Sequence, residues 1–407
     1  MLLSEGINQG FVIPTDYTRK LTLDGITQSY QVYKIRLDKL YYNDQNDRIA
    51  TWVNKYKEEN NIEDFDVLSD DYNQIIENFI FESNPKAIEK TKKNIELVGQ
   101  REPGVVLNDG RIIDGNRRYT CLRKIHETNP NTNHFEAVIL DRDIRENKKE
   151  IKLLELSIQH GEEGKIDYNP IDRLVGLHND VIKNELITID EYQKTVNESR
   201  ASINKKIEQA NLMVEFLEFI EAPEKFYIAR DLELDGPLGE IPAILNKVRT
   251  EEEKEDLKLI IFSNLLMKPK GDITRFVRKI KTIADSEHVS DFVEEQLEFV
   301  EETAEKLVEF EDINSKVINN EFRSDEKLQN KMVQSLEKYE IKTKKDLTRM
   351  KPVQDMQKFY VTLENMDTNM FSKLSFEEQE ELNQTICACK EELDKLSAKL
   401  GEMQADA

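Results

Sequence analysis

Beyond about Asn147 nothing in this 407-residue chain is patterned as a strand. From there on, apolar residues recur three and four apart, the spacing of a helix with one buried face. Any sheet must be built from the first third, and the remainder must pack helix on helix. Gly and Pro punctuate the helical part at Gly161 to Gly164, Pro223, Gly236-Pro237, Pro269 to Gly271 and Pro352. The expected organisation is an α+β domain over 1–150, a helical domain over 151–222 and an acidic, all-helical domain over 223–407.

The first third carries the α/β signals. Tyr30 to Leu37 alternates apolar and polar residues, the period of a half-buried strand. A helix is expected from Asn84-Pro85 to Val98, with Asn84 as N-cap, Pro85 in the first turn and Gly99 as the stop. Gly104 to Leu107 and Arg111 to Ile113 read as two short strands around Asn108-Asp109-Gly110, a tight-turn sequence. Tyr119 to Ile125 reads as helix and Phe135 to Leu140 as strand.

Charge narrows the function. A net charge of −23 argues against indiscriminate nucleic-acid binding, because bulk affinity for phosphate comes from Lys and Arg. Any DNA contact requires a local basic patch. No apolar run reaches the length of a membrane span. Glu5, Asn8, Gln9 and Asp16 interrupt the opening residues, so no signal peptide is expected. Cys121, Cys387 and Cys389 make no disulfide framework, which fits a reducing cytoplasm.

The most informative stretch is Gly110 to Tyr119, in which two strands deliver the chain to Asp114-Gly115-Asn116-Arg117-Arg118 and a helix. Gly115 permits close approach of backbone amides to an anion, the helix N-terminus favours negative charge, and both arginines can fork onto phosphate oxygens. The bland reading is a surface turn whose arginines pair with carboxylates, and the stretch alone leaves both open.

In context these residues resemble the ParB family, whose N-terminal domain is shared in outline with sulfiredoxin. The family carries G-E-R-R-[YW]-x-A after two strands, and this chain has Gly115-Asn-Arg-Arg-Tyr-Thr-Cys121. The family's strand and polar loop ending in Asn-x-Arg is similar to Ile35 to Arg48, with Asn43, Asn46 and Arg48. Its helix ending in Gly resembles Ile88 to Gly99. Its E-N-x-Q-R and D-L-N-P-[IL]-E boxes resemble Leu156-Ser-Ile-Gln-His160 and Asp167-Tyr-Asn-Pro-Ile-Asp172. The boxes follow the family's order from Tyr33 to Asp172.

The resemblance implies a ParB/sulfiredoxin-like domain at 1–150 and a helix-turn-helix within 151–222. It implies a nucleoside triphosphate held by Arg48, Gly115, Asn116, Arg117, Arg118, Tyr119, Ser157 and Gln159, with CTP favoured over ATP or GTP. It also implies Mg2+, although the box glutamate falls on Leu156 with Glu155 one place off, Ser157 replaces the Asn and His160 replaces the Arg. The helix-turn-helix would comprise Ile189 to Thr195, a turn over Val196 to Ser199, and a reading helix from Arg200 to Asn211. Arg200, Ser202, Asn204, Lys205 and Lys206 would then face double-stranded DNA. A plain bundle helix is the alternative, and Glu198 and Glu208 favour it. Homodimerisation is the further implication.

Enzymatic readings have less behind them. Sulfiredoxin-like chemistry needs a cysteine where Asn116 stands, and Cys121 reads as a small buried residue. The histidines are scattered without metal-ligand spacing. An NTPase or nuclease, as in phage defence, remains the alternative if Asp109, Asp114 and Glu155 converge. Two further seams, Val293-Leu297-Val300-Ala304-Leu307 and Leu382-Ile386-Cys389-Leu393-Leu396-Leu400, need a surface to cover them, in this chain or on a protein partner. Ser375 and Glu378 form a capping box before the second.

Overall fold

A computed structural model describes the chain except residues 1, 24, 145, 162–168, 270, 406 and 407; the side chains of His160, Gly161 and Ala405 also lie outside it. Asp167 and Tyr168 of the last family-like box fall in the undescribed stretch. Five strands form one sheet: β1 (Val12–Leu23), β2 (Ile26–Arg36), β3 (Gly104–Leu107), β4 (Ile112–Asp114) and β5 (His134–Leu140). Their spatial order is β1-β2-β5-β3-β4, and β3 and β5 run parallel while the other neighbours are antiparallel.

Alternation along the strands explains the layers. Ile35, Val106, Phe135 and Ala137 face one core, which they share with α2 (Tyr72–Ser83), α3 (Pro85–Val98) and α4 (Asn116–Thr128). Val32, Val105, Val138 and Leu140 face the other, closed by Ile151, Leu154 and Ile158 of α5 (Lys148–Gly161). Successive strand side chains point to opposite faces, so a sheet buried on both sides needs apolar residues at consecutive positions. β3, Gly-Val-Val-Leu, is buried throughout. α3 starts and stops where expected: Asn84 Oδ1 accepts the Ala87 amide, and Gly99 takes φ 75° at the end.

The helical remainder comprises α6 (Pro170–Leu177), α7 (Ile189–Val196), α8 (Arg200–Phe219), α9 (Phe226–Asp231), α10 (Asp235–Leu245), α11 (Glu251–Met267), α12 (Ile273–Ala284), α13 (Val289–Leu307), α14 (Glu326–Glu364) and α15 (Phe376–Ala405). The helix α1 (Ala50–Glu59) lies before the sheet's second half. One cluster of buried residues runs from Ile171 of α6 to Tyr339 of α14. The compact units are Met1–Glu340 and Ile341–Ala407, so the divisions expected near 150 and 222 both fall inside the first unit. The reason is packing: α6 and α8 contribute Leu174, Met213 and Phe216 to the same core as α10 to α13.

The two expected seams fare differently. In α13 the buried stripe is Phe292, Gln296, Phe299, Thr303 and Leu307, with Val293 and Val300 beside it, while Ala304 is exposed. In α15 Ile386, Leu396 and Leu400 are exposed. Ser375 caps α15 as expected, its Oγ accepting the Glu378 amide while its own amide donates to the Glu378 carboxylate. Among the described residues, no helix is long and apolar enough to cross a membrane.

Candidate functional site

β4 ends at Asp114, and Gly115 turns the chain into α4 with φ 100°, a left-handed conformation that favours glycine. A Cβ here would stand 2.8 Å from the Phe135 ring. No side chain caps α4. The first intrahelical bond runs from the Tyr119 amide to the Gly115 carbonyl, so the amides of the preceding turn are left to face outward.

This turn forms one wall of a cleft of about 320 Å3. Asn46 and Arg48 come from the turn before α1, Thr91 and Asn94 from α3, and Arg101 and Glu102 from the segment after it. Arg117 and Arg118 open α4, and Ile158 and Gln159 of α5 close the far side. Four arginines thus meet two carboxylates, and one of these, Asp114, is already bridged by Arg19 at 2.8 Å and Arg118 at 3.0 Å. Within a chain of −23 this is a locally positive concavity.

The cleft also leaves polar atoms unmatched. Asn116 and Gln159 are each only 8% exposed, yet Asn116 Oδ1, Gln159 Oε1 and Arg118 Nε are buried without hydrogen-bond partners. Unsatisfied buried polar groups are rare and costly, and here they line one void.

The structure therefore brings six of the residues implied by the resemblance together: Arg48, Gly115, Asn116, Arg117, Arg118 and Gln159. Two lie elsewhere. Tyr119 is buried in the core, its hydroxyl directed to the Leu37 and Leu40 carbonyls and its ring edge-on to Tyr42 and Phe135. Burial pushes its hydroxyl up to about 12. Ser157 donates to the Leu154 carbonyl of its own helix and does not line the cleft.

Glu155 belongs to a second cavity, which shares Asn46 with the first, in a cluster centred on Lys152. The Lys152 ammonium lies 2.6 Å from Asp47, 3.2 Å from Asp180 and 3.9 Å from Glu155. Glu155 also accepts a hydrogen bond from Gln159 Nε2 at 2.9 Å. Burial raises Glu155 and Asp180 above the ordinary carboxylate range, with neighbouring carboxylates adding to the rise and Lys152 opposing it. A cation already occupies the centre of this group, and no cluster of three or more His, Cys, Asp or Glu among the described residues is arranged to hold a metal. The donor set does not fit the implied Mg2+. Asp109 is engaged by the Tyr41 hydroxyl, and Asp114 by arginines, so these carboxylates and Glu155 do not converge.

α7 and α8 are joined by a three-residue turn with Asn197 at φ 54°; Thr188 caps α7 in a capping box and Ser199 caps α8. Asn204 and Lys205 are exposed. Arg200 pairs with Asp190, while Glu198 receives Lys206, Arg173 and the Ser202 hydroxyl. The resemblance did not point to Arg19, Arg101, Thr91 or Asn94. No motif marks them: Thr91, Asn94 and Arg101 reach the cleft on the run from α3 into β3, and Arg19 of β1 bridges the cleft's Asp114.

No protein-family model and no curated protein matches the chain. Among solved structures, it is similar to a Pnob8-like ParB-N domain, 14% identical, with a TM-score of 0.37 over 66% of this chain and 97% of that one.

Proposed function

We propose that the chain is a ParB-like, nucleotide-gated DNA-binding protein. The observation that carries the nucleotide part is the cleft: four arginines, an uncapped helix N-terminus behind Gly115, and unpartnered Asn116 and Gln159 oxygens around one void. That combination favours a polyphosphate, with charge met by arginine forks and backbone amides and with amide oxygens left for donor groups of the ligand. The order of the family-like sequence boxes favours a nucleoside triphosphate, CTP ahead of ATP or GTP. Mg2+ would accompany the phosphates without a seat at Glu155.

The route from cleft to DNA is α5. Its Gln159 lines the cleft, and its Leu153 and Leu156 pack with Leu177 of α6 and with Tyr192, Val196 and Ile203 of the α7–α8 pair. A ligand that draws Gln159 inward moves a helix on which the α7–α8 pair rests. The exposed α15 residues fit self-association as a homodimer or docking of a protein partner. Isothermal titration of the full chain with each of the four nucleoside triphosphates, with and without duplex DNA, tests the reading. Binding of one triphosphate whose affinity changes with DNA supports it; no heat with any triphosphate removes the nucleotide part.

A further inference from the structure

The α7–α8 pair is a poor electrostatic match for DNA. Residues 189–211 hold four basic and four acidic side chains, and Arg200 and Lys206 are engaged by Asp190 and Glu198. Affinity for a duplex scales with the number of phosphates neutralised, so a neutral segment on a chain of −23 provides little.

The second unit carries a different surface. In α14, residues 341–358 hold six basic side chains (Lys342, Lys344, Lys345, Arg349, Lys351, Lys358) against Asp346 and Asp355. All six are exposed. Arg349 lies 3.5 Å from Asp346, a loose pair at the surface. Buried hydrophobic residues end at Tyr339, and within the stretch only Thr343 is buried.

Their placement on the helix is specific. At about 100° per residue, Lys342, Lys345 and Arg349 fall within about 60° of one another, and Lys344, Lys351 and Lys358 within about 40°. The two stripes stand about 150° apart and extend over about 24 Å of axis. A helix docked on a flat acidic protein needs one basic face. A helix seated in the major groove has a phosphate backbone on each side, and the groove admits an α-helix.

We propose that residues 341–358 of α14 are the principal DNA contact of this protein, each basic stripe facing one strand's phosphates in the major groove. This rests on the DNA-binding part of the proposed function but not on its nucleotide cleft, and it moves the main contact away from α8.

Fluorescence anisotropy of the full chain with a labelled duplex, at low salt and with and without triphosphate, tests it. The variants are K344A/K351A/K358A, K342A/K345A/R349A and R200A/K205A, each checked for helical content by circular dichroism. Each stripe variant should lower affinity at least tenfold and flatten the log–log salt dependence by about 2.7, from three phosphates lost. R200A/K205A should bind within threefold of wild type. If both stripe variants bind as wild type while R200A/K205A loses affinity, the inference is overturned and α8 remains the contact. Loss in only one stripe overturns the groove geometry. Tighter binding to double-stranded RNA overturns the choice of DNA. No binding by the wild type under any condition overturns both this inference and the DNA part of the proposed function.

Discussion

Two charged pockets flank the turn Asn46-Asp47-Arg48 and are built on opposite plans. On one side Asn46 and Arg48 enter a cleft where arginines outnumber carboxylates. On the other, Asp47 joins Asp180 and Glu155 around the single ammonium of Lys152. The cluster carries a counter-charge within the chain, its ammonium seated among the carboxylates. The cleft keeps its positive charge facing an open void. Burying charge without a partner costs several kcal/mol, so an excess of arginine over carboxylate is tolerable where solvent or a ligand can reach it. On the proposed reading the Lys152 cluster is the structural pocket and the arginine cleft the receptive one.

The largest expected effect breaks the structural side. Lys152→Ala leaves two buried carboxylates and the half-buried Asp47 facing one another, so unfolding in urea should show a loss of about 3–5 kcal/mol. Lys152→Arg, which keeps the charge, should recover part of it. A loss under about 1 kcal/mol in the alanine variant would show that the cluster is solvated and that its ion pairs add little.

The receptive side should respond in the reverse sense. Arg118→Ala removes a charge-assisted bond worth about 1.5–3 kcal/mol, hence roughly ten- to hundredfold in triphosphate affinity. Its stability should change little, because Asp114 retains Arg19 at 2.8 Å. Gly115→Ala sharpens the same point: it forces a left-handed backbone on a Cβ-bearing residue and crowds Phe135, so binding should fall with a modest loss of stability. Unchanged triphosphate affinity in Arg118→Ala, measured by calorimetry on folded protein, would contradict the phosphate assignment.

How much of this was legible in the sequence follows from the range of each interaction. The α3 caps, the Asp-Gly turn, the strands β3 to β5 and the turn between α7 and α8 depend on neighbours a few residues apart, and they stand close to where pattern places them, while α8 runs on past the expected Asn211 to Phe219. β1 was not legible: Asp16, Arg19 and Lys20 break its apolar pattern, and its order comes from pairing with β2. Arg19 reaches Asp114 across the sheet, a contact with no local signature. In the site, Gly115 to Arg118 were readable because one turn holds them. Tyr119 was assigned by position in a motif, but helical geometry turns it away from Arg118 and into the core. The Lys152 cluster joins the turn before α1, α5 and the residues after α6, and only the fold assembles it.

The smallest expected effect separates the two pockets by pH. Asp172 lies at the start of α6, where its carboxylate accepts the Thr51 amide at 3.0 Å. Burial raises it to about 6; the Thr51 hydrogen bonds and Arg230 oppose the rise, and Asp47 of the Lys152 cluster adds to it. Between the ordinary carboxylate value and about 6 the folded chain therefore holds a proton that the unfolded chain has released. The folded state binds more protons in that window, so stability falls as pH rises through it, by no more than about 1.4 kcal/mol per pH unit for one group. Asp172→Asn keeps an acceptor for Thr51 and removes the ionisation, so its stability should exceed that of wild type increasingly from pH 4 to 6 and run parallel above. Triphosphate affinity at the cleft depends on arginines that stay charged throughout, and this substitution should leave it unchanged. Chemical denaturation of both proteins across that range, with calorimetry at its ends, decides the matter. Parallel stability curves from pH 4 to 6 would mean that Asp172 is ionised in the fold at its ordinary value, and that the charge beside Asp47 is solvated after all.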